Sequence, residues 1–586
     1  MTGIAPRDRS APLRRPTHRS MARARHQLQS QTAGDAWYKN AVFYEVRVQS
    51  FRDSNGDGIG DLRGLSSKLD YLGWLGVDCL WLLPIFDSPL RDDGYDVRDY
   101  RTILPPLGDT ADLIDLLDRA HARGMRVIVD LALNHTSDMH PWFQASRTDP
   151  DGPYGDFYMW SDTPDRYADA RVIFVDSEIS NWAWDDVRKQ YYWHRFYSHQ
   201  PDLNYASGAV RKAIVDVIRY WLDRGLDGFR LDAVPYLHAE DGTDCENLPQ
   251  THDFLRCLRR LVENEYPGRV LLAEANQWPE QAVSYFGDAA KGGDECHMAF
   301  HFPLMPRLFM ALRLEDKAPI ECILRATPSI PRSSQWATFL RNHDELTLEM
   351  VTEAERSFML QEYAKHPRAR LNLGIRRRLL PLLDNSLSEA QLLQALLVSL
   401  PGSPVLYYGD EIGMGDNLLL NDRDGVRTPM QWSAAHNAGF SHASPASLSL
   451  PVVAEPRYGY ATVNVESQLA DPRSLLHWTQ RLLRRRRRIP AMAIGALCLV
   501  DSDNRSVLAY LRTAQTADGE QTVLCVNNFS DRAQAVGLNL VHYAGCGMVD
   551  ADGGMRVPPI DTDPYRLTLA AYGFIWLLVQ TPAQNP

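Results

Sequence analysis

From Trp37 onward the chain alternates short apolar runs with amphipathic stretches, and this rhythm limits its fold more than any other feature. Apolar runs at 42–51, 77–85, 125–134, 227–233, 269–276, 298–304, 338–342 and 404–408 read as strands. Amphipathic segments such as 110–123, 209–224 and 251–265 read as helices between them. In the first of these, Leu113, Leu116, Leu117 and Ala120 share one face, and Gly124 supplies a C-terminal stop. A strand followed by a helix, repeated about eight times, makes neighbouring strands parallel and places helices outside them. The pattern predicts an α/β fold, a closed (β/α)8 barrel of the TIM type with insertions. An open doubly wound sheet is the alternative, but no G-x-G-x-x-G follows the first strand.

Two stretches break the rhythm. Residues 135–200, after the third strand, are rich in Trp, Tyr, Asp and Pro and read as an inserted subdomain beside the barrel mouth. Residues 349–385, after the seventh strand, read as a second, helical insertion that carries Arg376, Arg377 and Arg378. From about 499 the pattern turns all-β, with runs at 507–511, 522–527 and 573–579, so a C-terminal β-sandwich is expected over 499–586. The barrel then takes 35–134 and 201–498. The run from Arg484 to Arg488 ends a helix with an apolar stripe of Leu475, Trp478, Leu482 and Leu483, and reads as a solvated helix end. Residues 1–34 hold Arg, Pro and Ser without an apolar core, which reads as a disordered basic tail rather than a secretory signal.

Charge and cysteine content narrow the function classes. Lys and Arg number 62 against 74 Asp and Glu, a net charge of −12. A nucleic-acid binder needs a basic face to displace counterions, so an uncharged substrate suits this chain better. No run reaches the length of a membrane span. The 8 cysteines include no C-x-x-C pair, which reads as reduced thiols in a cytoplasmic protein.

In a (β/α)8 barrel, chemistry sits at the C-terminal ends of the strands. Here strand three runs out through Asp130, Asn134 and His135, and strand four through Arg230 and Asp232. Strand five ends in Glu274 and Asn276, and strand seven in Arg341, Asn342, His343, Asp344 and Glu345. Arg230 and Asp232 stand two apart on one strand, so their side chains point the same way. An Arg beside an Asp favours the ionised carboxylate a nucleophile needs, while an acid with a raised pKa can protonate a leaving oxygen. Two carboxyls in those roles make a retaining glycosidase-type centre.

These four strand ends resemble the signature regions of glycoside hydrolase family 13, the α-amylase family. The run Gln200 to Asn204 resembles the fifth region of its oligo-1,6-glucosidase-like branch. The resemblance covers nearly the whole chain from Trp37. It implies Asp232 as nucleophile, Glu274 as general acid/base and Asp344 as the transition-state-stabilising acid. It implies that His135 and His343 hydrogen-bond the glucose of the first subsite and that Arg230 orients the nucleophile. It further implies that Asp92 and Tyr95 close that subsite and that Arg427 pairs with Asp92. The phrases at 276–279, 293–302, 341–350 and 371–378 are similar to those of branch members that interconvert maltose and trehalose. They imply a reversible intramolecular transfer with side hydrolysis to glucose, and a hydrolase of short α-glucosides is the alternative. Isomerase and hydrolase share every catalytic residue, so enclosure of the freed glucose decides between them. Arg171, in the inserted subdomain, is expected to close over the site onto the Asn276 loop as a gate.

Two structural metal sites are expected. Asp53, Asn55, Asp57, the Ile59 carbonyl and Asp61 follow the spacing of half an EF-hand loop. The segment is also similar to the branch's first loop, which binds Ca2+ or Mg2+. The resemblance places a second Ca2+ at Asn134 and Asp202 with the carbonyls of Tyr236 and Leu237, although Ala239 stands where the family usually has Glu. No organic cofactor is expected. The expected partner is a disaccharide, maltose or trehalose, with neither nucleic acid nor membrane. A homo-oligomer and a separate maltokinase partner are compatible with the family setting.

Overall fold

Eight parallel strands close on one another in chain order, as the strand–helix rhythm requires. They are β1 (Phe43–Val46), β2 (Cys79–Leu82), β3 (Arg126–Ala132), β4 (Gly228–Asp232), β5 (Val270–Ala273), β6 (Met298–Phe300), β7 (Gln335–Phe339) and β8 (Ser403–Tyr407). β1 pairs with both β2 and β8, which closes the barrel. The computed structural model describes residues 36–551, 556–561 and 564–580. The expected basic tail at 1–34 lies outside these residues.

Nearly every strand residue is buried, because helices cover the outer face and side chains fill the inside. Helix α1 (Thr110–His121) buries Leu113, Leu116, Leu117 and Ala120, and a capping box of Asp109 and Asp112 starts it. The observed strands are shorter than the apolar runs, since the chain turns at each mouth while staying buried. After β1 it enters a helical turn at Val48–Phe51, and after β6 the helix Leu304–Leu314. β7 begins at Gln335, earlier than the run at 338–342, so Arg341 to Asp344 form a loop past the strand end. Gly228 opens β4 with φ 150°, and a Cβ there would lie 2.0 Å from the Val270 carbonyl oxygen. Only glycine lets β4 and β5 approach at this point.

After β3 the chain forms a helix, Pro141–Thr148, and a three-stranded antiparallel sheet of Trp160–Ser161, Gln190–Trp193 and Trp182–Asp185. Its aromatic richness becomes a ring-packed core, with Phe143 stacked on Trp160 and Tyr167 on Trp182. After β7 the segment is not purely helical, as the charge pattern suggested. The helix Glu353–Tyr363 is flanked by a small sheet of Leu346–Thr347, Gly374–Ile375 and Arg370–Leu371. Its strands have 2 residues each, too short to show a two-residue period in the sequence.

The arginine run is solvated at Arg484, Arg487 and Arg488 and departs from that reading at Arg486. It closes helix α2 (Leu475–Arg488), where Arg486 is buried. Arg486 donates to the carbonyls of Val398, Met492 and Gly402, and Arg487 pairs with Asp78. Beyond it, a six-stranded and a two-stranded antiparallel sheet share an apolar core that includes Val507, Leu524, Leu538 and Leu577. Among the described residues, no helix is long and apolar enough to cross a membrane.

Candidate active site

One cavity at the C-terminal mouth of the barrel is lined by Asp92, Tyr95, His135, Arg230, Asp232, Tyr236, Glu274, Asn276, Asp344 and Arg427. The end of β4 and the segments that follow β2, β3, β4, β5, β7 and β8 bring these groups together. Just after Asp232 the chain enters a left-handed turn at Ala233, φ 54°, and the Ala233 amide donates to Glu274 Oε2 at 3.2 Å. Left-handed geometry at a residue with a Cβ is held only where the surroundings enforce it. Here it turns a backbone donor toward the acid on the neighbouring strand.

Arg230 is the hub of the charged floor. Its guanidinium contacts Asp232, lies 2.9 Å from Asp130 and 2.5 Å from Glu274. It is 2% exposed and sits 5.6 Å from the ring centres of both Trp81 and Tyr95. One buried cation cannot keep three buried carboxyls ionised, so their protonation is divided. Burial pushes Asp130 up to about 7, against the pull of Arg230. Burial likewise lifts Glu274 to about 8 and Asp232 to about 6, again opposed by Arg230. Near neutral pH this leaves Asp232 ionised and Glu274 protonated, the division a nucleophile and an acid require. The two carboxyls are close enough to hydrogen-bond each other. Such proximity suits retention, because an inverting pair must stand far enough apart to hold a water.

Asp344 belongs to a separate network. Burial raises its pKa, but His343, Arg423 and Arg427 outweigh burial and hold it below the usual carboxylate range. Arg427 reaches Asp344 at 3.1 Å and Asp93 at 3.1 Å, and its Nε donates to the His343 carbonyl. The expected pairing of Arg427 with Asp92 is therefore replaced by pairing with Asp93, which Arg47 also clamps. Asp92 instead accepts a 2.8 Å hydrogen bond from Gln200 Nε2. Its carboxyl is pushed up to about 6 by burial, with Arg423 and Arg427 opposing.

The two histidines differ. His135 lines the cavity with both ring nitrogens buried and without a protein partner, and burial pushes its pKa down to about 3. It is a neutral imidazole with donor and acceptor free for a sugar hydroxyl. His343 is fully buried behind Tyr95, with Nδ1 2.5 Å from Glu45 and Nε2 2.8 Å from the Tyr95 hydroxyl. It braces the Tyr95 ring, stacked at 5.7 Å, rather than facing the cavity.

Several lining or supporting groups carried no assigned role in the sequence reading: Asp93, Gln200, Arg423, Glu45, Glu345 and Glu349. Arg423 lies 2.8 Å from Glu345 and 3.0 Å from Asp344, with its guanidinium over the Phe174 ring. It stands four residues before Arg427 on one loop, and that shared loop was its only sequence signal. No hydrogen bond joins Arg171 to Asn276. Arg171 donates to Glu246 at 2.8 Å, to Glu349 at 3.0 Å and to the Tyr236 hydroxyl at 3.1 Å, while Asn276 donates to Thr347 at 3.4 Å.

The expected metal ligands lie outside this floor. Asp53 accepts from the amides of Asn55, Gly56 and Gly58, and Asn55 and Asp57 accept from the amides two residues on. Asp61 caps the helix that follows the loop. Each donor is a hard oxygen, as Ca2+ or Mg2+ requires, and accepting an amide leaves a carboxylate oxygen a second lone pair. At the other site, Asn134 and Asp202 are fully buried, and Asn134 Oδ1 and Asp202 Oδ2 have no protein partner. Buried orphan oxygens of this kind fit a bound cation. Among the described residues, no three His, Cys, Asp or Glu side chains cluster as a metal site, and both of these sets rely on amide and carbonyl oxygens as well.

The closed barrel, with its acids on the β4, β5 and β7 ends, defines a retaining glycoside-processing enzyme, and the chain belongs to the α-amylase family, whose catalytic-domain profile matches residues 46–495. The maltogenic amylase C-terminal domain profile matches residues 497–576. The chain is 60% identical over 555 residues to the trehalose synthase/amylase TreS of Mycolicibacterium smegmatis, covering 94% of each chain. It is 58% identical over 551 residues to the trehalose synthase of Pimelobacter sp. strain R48, covering 93% of this chain and 96% of that one. Among solved structures, the trehalulose synthase MutB of Pseudomonas mesoacidophila MX-45 matches with a TM-score of 0.73 at 28% identity, over 93% of this chain and 99% of that one.

Proposed function

We propose that this chain interconverts maltose and trehalose by double displacement within one enclosed site. The observation that carries the reading is Arg230 held between Asp232 and Glu274 at the barrel mouth, in a chain 60% identical to a trehalose synthase/amylase. Asp232 attacks the anomeric carbon of the donor glucose while Glu274 gives its proton to the departing glycosidic oxygen. A glucosyl ester on Asp232 and a free glucose result. The glucose turns so that its anomeric hydroxyl faces the ester. Glu274, now a carboxylate, takes that hydroxyl's proton, the oxygen attacks, and the ester bond breaks. Two inversions give net retention at the donor carbon.

Asp344, held ionised by its arginines, stabilises positive charge developing on the sugar ring. His135 binds a hydroxyl of the donor glucose, and Tyr95 supplies a flat face braced by His343. Hydrolysis follows the same path with water as acceptor, so it accompanies transfer whenever the cavity opens. Incubation with pure maltose, followed by anomeric NMR, tests the reading. Trehalose should appear and plateau, and trehalose should return maltose. Glucose as the sole product would leave a hydrolase.

We also propose that Asn134 and Asp202, with the carbonyls of Tyr236 and Leu237, hold a structural Ca2+, and that the 53–61 loop holds a second hard cation. A bound cation supplies charge neutralisation there and takes no part in the sugar chemistry. Chelator is expected to lower the melting temperature by several degrees and added Ca2+ to restore it. Asp202→Asn should weaken that dependence, and an unchanged melting curve in chelator would count against bound metal.

A further inference from the structure

Glu246 stands where the segments walling the cavity meet, on the loop after β4. Its carboxylate is 8% exposed. Oε1 accepts from Arg171 at 2.8 Å and from Arg195 at 3.1 Å, and Oε2 accepts from Gln277 Nε2 at 2.9 Å. Arg171 and Arg195 both belong to the inserted subdomain. Gln277 neighbours Asn276, which lines the cavity, on the same loop as Glu274. Arg171 continues to Glu349, past β7. A single carboxylate thus joins the inserted subdomain to the β5 loop directly and, through Arg171, to the β7 loop.

The surrounding backbone is built to hold this carboxylate in place. Cys245 and Asn247, on either side of it, are both left-handed, with φ 57° and 55°. Asn adopts that region readily, but a left-handed Cys persists only where packing enforces it. Asn247 is fixed by its amide to the Pro235 carbonyl and by the Tyr285 hydroxyl to its side chain. The two arginines differ in freedom. The Arg195 side chain is 0% exposed and lies over the Tyr236 ring at 5.0 Å, whereas Arg171 is 38% exposed. Arg195 anchors Glu246, and Arg171, the more exposed of the two, is the partner whose departure would open the contact.

We propose that Glu246 is a positioning residue that latches the inserted subdomain over the freed glucose and so sets how the glucosyl-enzyme divides between transfer and hydrolysis. The proposal rests on the maltose–trehalose reading above. In transfer, the bond from the anomeric carbon to Asp232 breaks, a bond to the anomeric oxygen of the retained glucose forms, and that hydroxyl's proton goes to Glu274. In hydrolysis, water supplies both oxygen and proton, and both glucoses leave. The same ester precedes both outcomes, so their ratio does not depend on how much of a preparation is active.

The test is the ratio of glucose to trehalose formed from maltose, read by anomeric NMR at early times. Glu246→Gln is expected to raise it roughly three- to tenfold, the effect of weakening one partly exposed charge-assisted bond. Arg171→Ala should raise it similarly, and the double variant should add little to either single change. Glu246→Asp keeps a charge beside Arg195 but draws back from Arg171, so it should move the ratio the same way if Glu246→Gln does not fold. Lys189→Gln, at an exposed pair with Asp186 lying wholly within the inserted subdomain, should leave it unchanged. A ratio within twofold of the parent in folded Glu246→Gln or Glu246→Asp would overturn the latch, even with the maltose–trehalose reading intact. A parent enzyme that makes no trehalose would overturn both together, which separates the two failures.

Discussion

At the scale of single residues, the site is governed by one guanidinium among three carboxyls. The proposed roles need Asp232 ionised and Glu274 protonated, so kcat/KM for maltose should rise through about pH 6 and fall above about pH 8. Both limbs belong to the coupled pair rather than to either residue alone. Arg230 lowers the pKa of each acid, so Arg230→Gln should move both limbs to higher pH, measurable in the same pH–rate profile. Asp232→Asn removes the proposed nucleophile and should cut maltose turnover by roughly 10^4-fold, with an unchanged circular dichroism spectrum. That the principal acids gather was legible because each falls at or just past a predicted strand end, while their roles came from the family resemblance. The partner of Arg427 was not legible, because adjacent Asp92 and Asp93 offer the same chemistry and only the turn decides which one faces it. Glu45 was hidden for a different reason. A lone acid in a first-strand apolar run gives no sign that it will meet His343, nearly 300 positions later in the chain.

At the scale of elements, all eight barrel strands were legible from apolar periodicity, and their ends were not. Burial continues past each strand into the mouth loops, so an apolar run overstates the strand. The β7 shift shows the reverse case, where Gln335 is buried yet polar and hides the strand's start. The inserted subdomain announced itself by composition, but its short strands lie below the reach of a two-residue period. Two contacts carry stability predictions here. Gly228→Ala would drive a Cβ into the Val270 carbonyl, and the denaturation midpoint should fall by an equivalent of about 2–4 kcal/mol. Arg486→Leu would strand three buried carbonyls that now accept from one guanidinium, with a loss of about 3 kcal/mol or more in the same measurement. The arginine run misled because charge density alone does not reveal which member of a helix faces inward. Arg486 falls on the buried face with Leu482 and Leu483.

At the scale of the molecule, the catalytic mouth is assembled from segments that span most of the chain. Glu45 on β1 braces His343 beyond β7, and Arg427 beyond β8 clamps Asp93 beyond β2. The same closure is seen in the pairing of Phe43 with Val405, partners separated by nearly the full length of the barrel. That pairing has a consequence during biosynthesis. A nascent chain can form local strand–helix units as it emerges, but β1 and β7 remain open edges until β8 has left the ribosome. A chain cut just before Ser403 should therefore partition into the insoluble fraction when expressed, although it carries Asp232, Glu274 and Asp344. Closure of the mouth therefore waits on β8 and on Arg427 beyond it, late in synthesis.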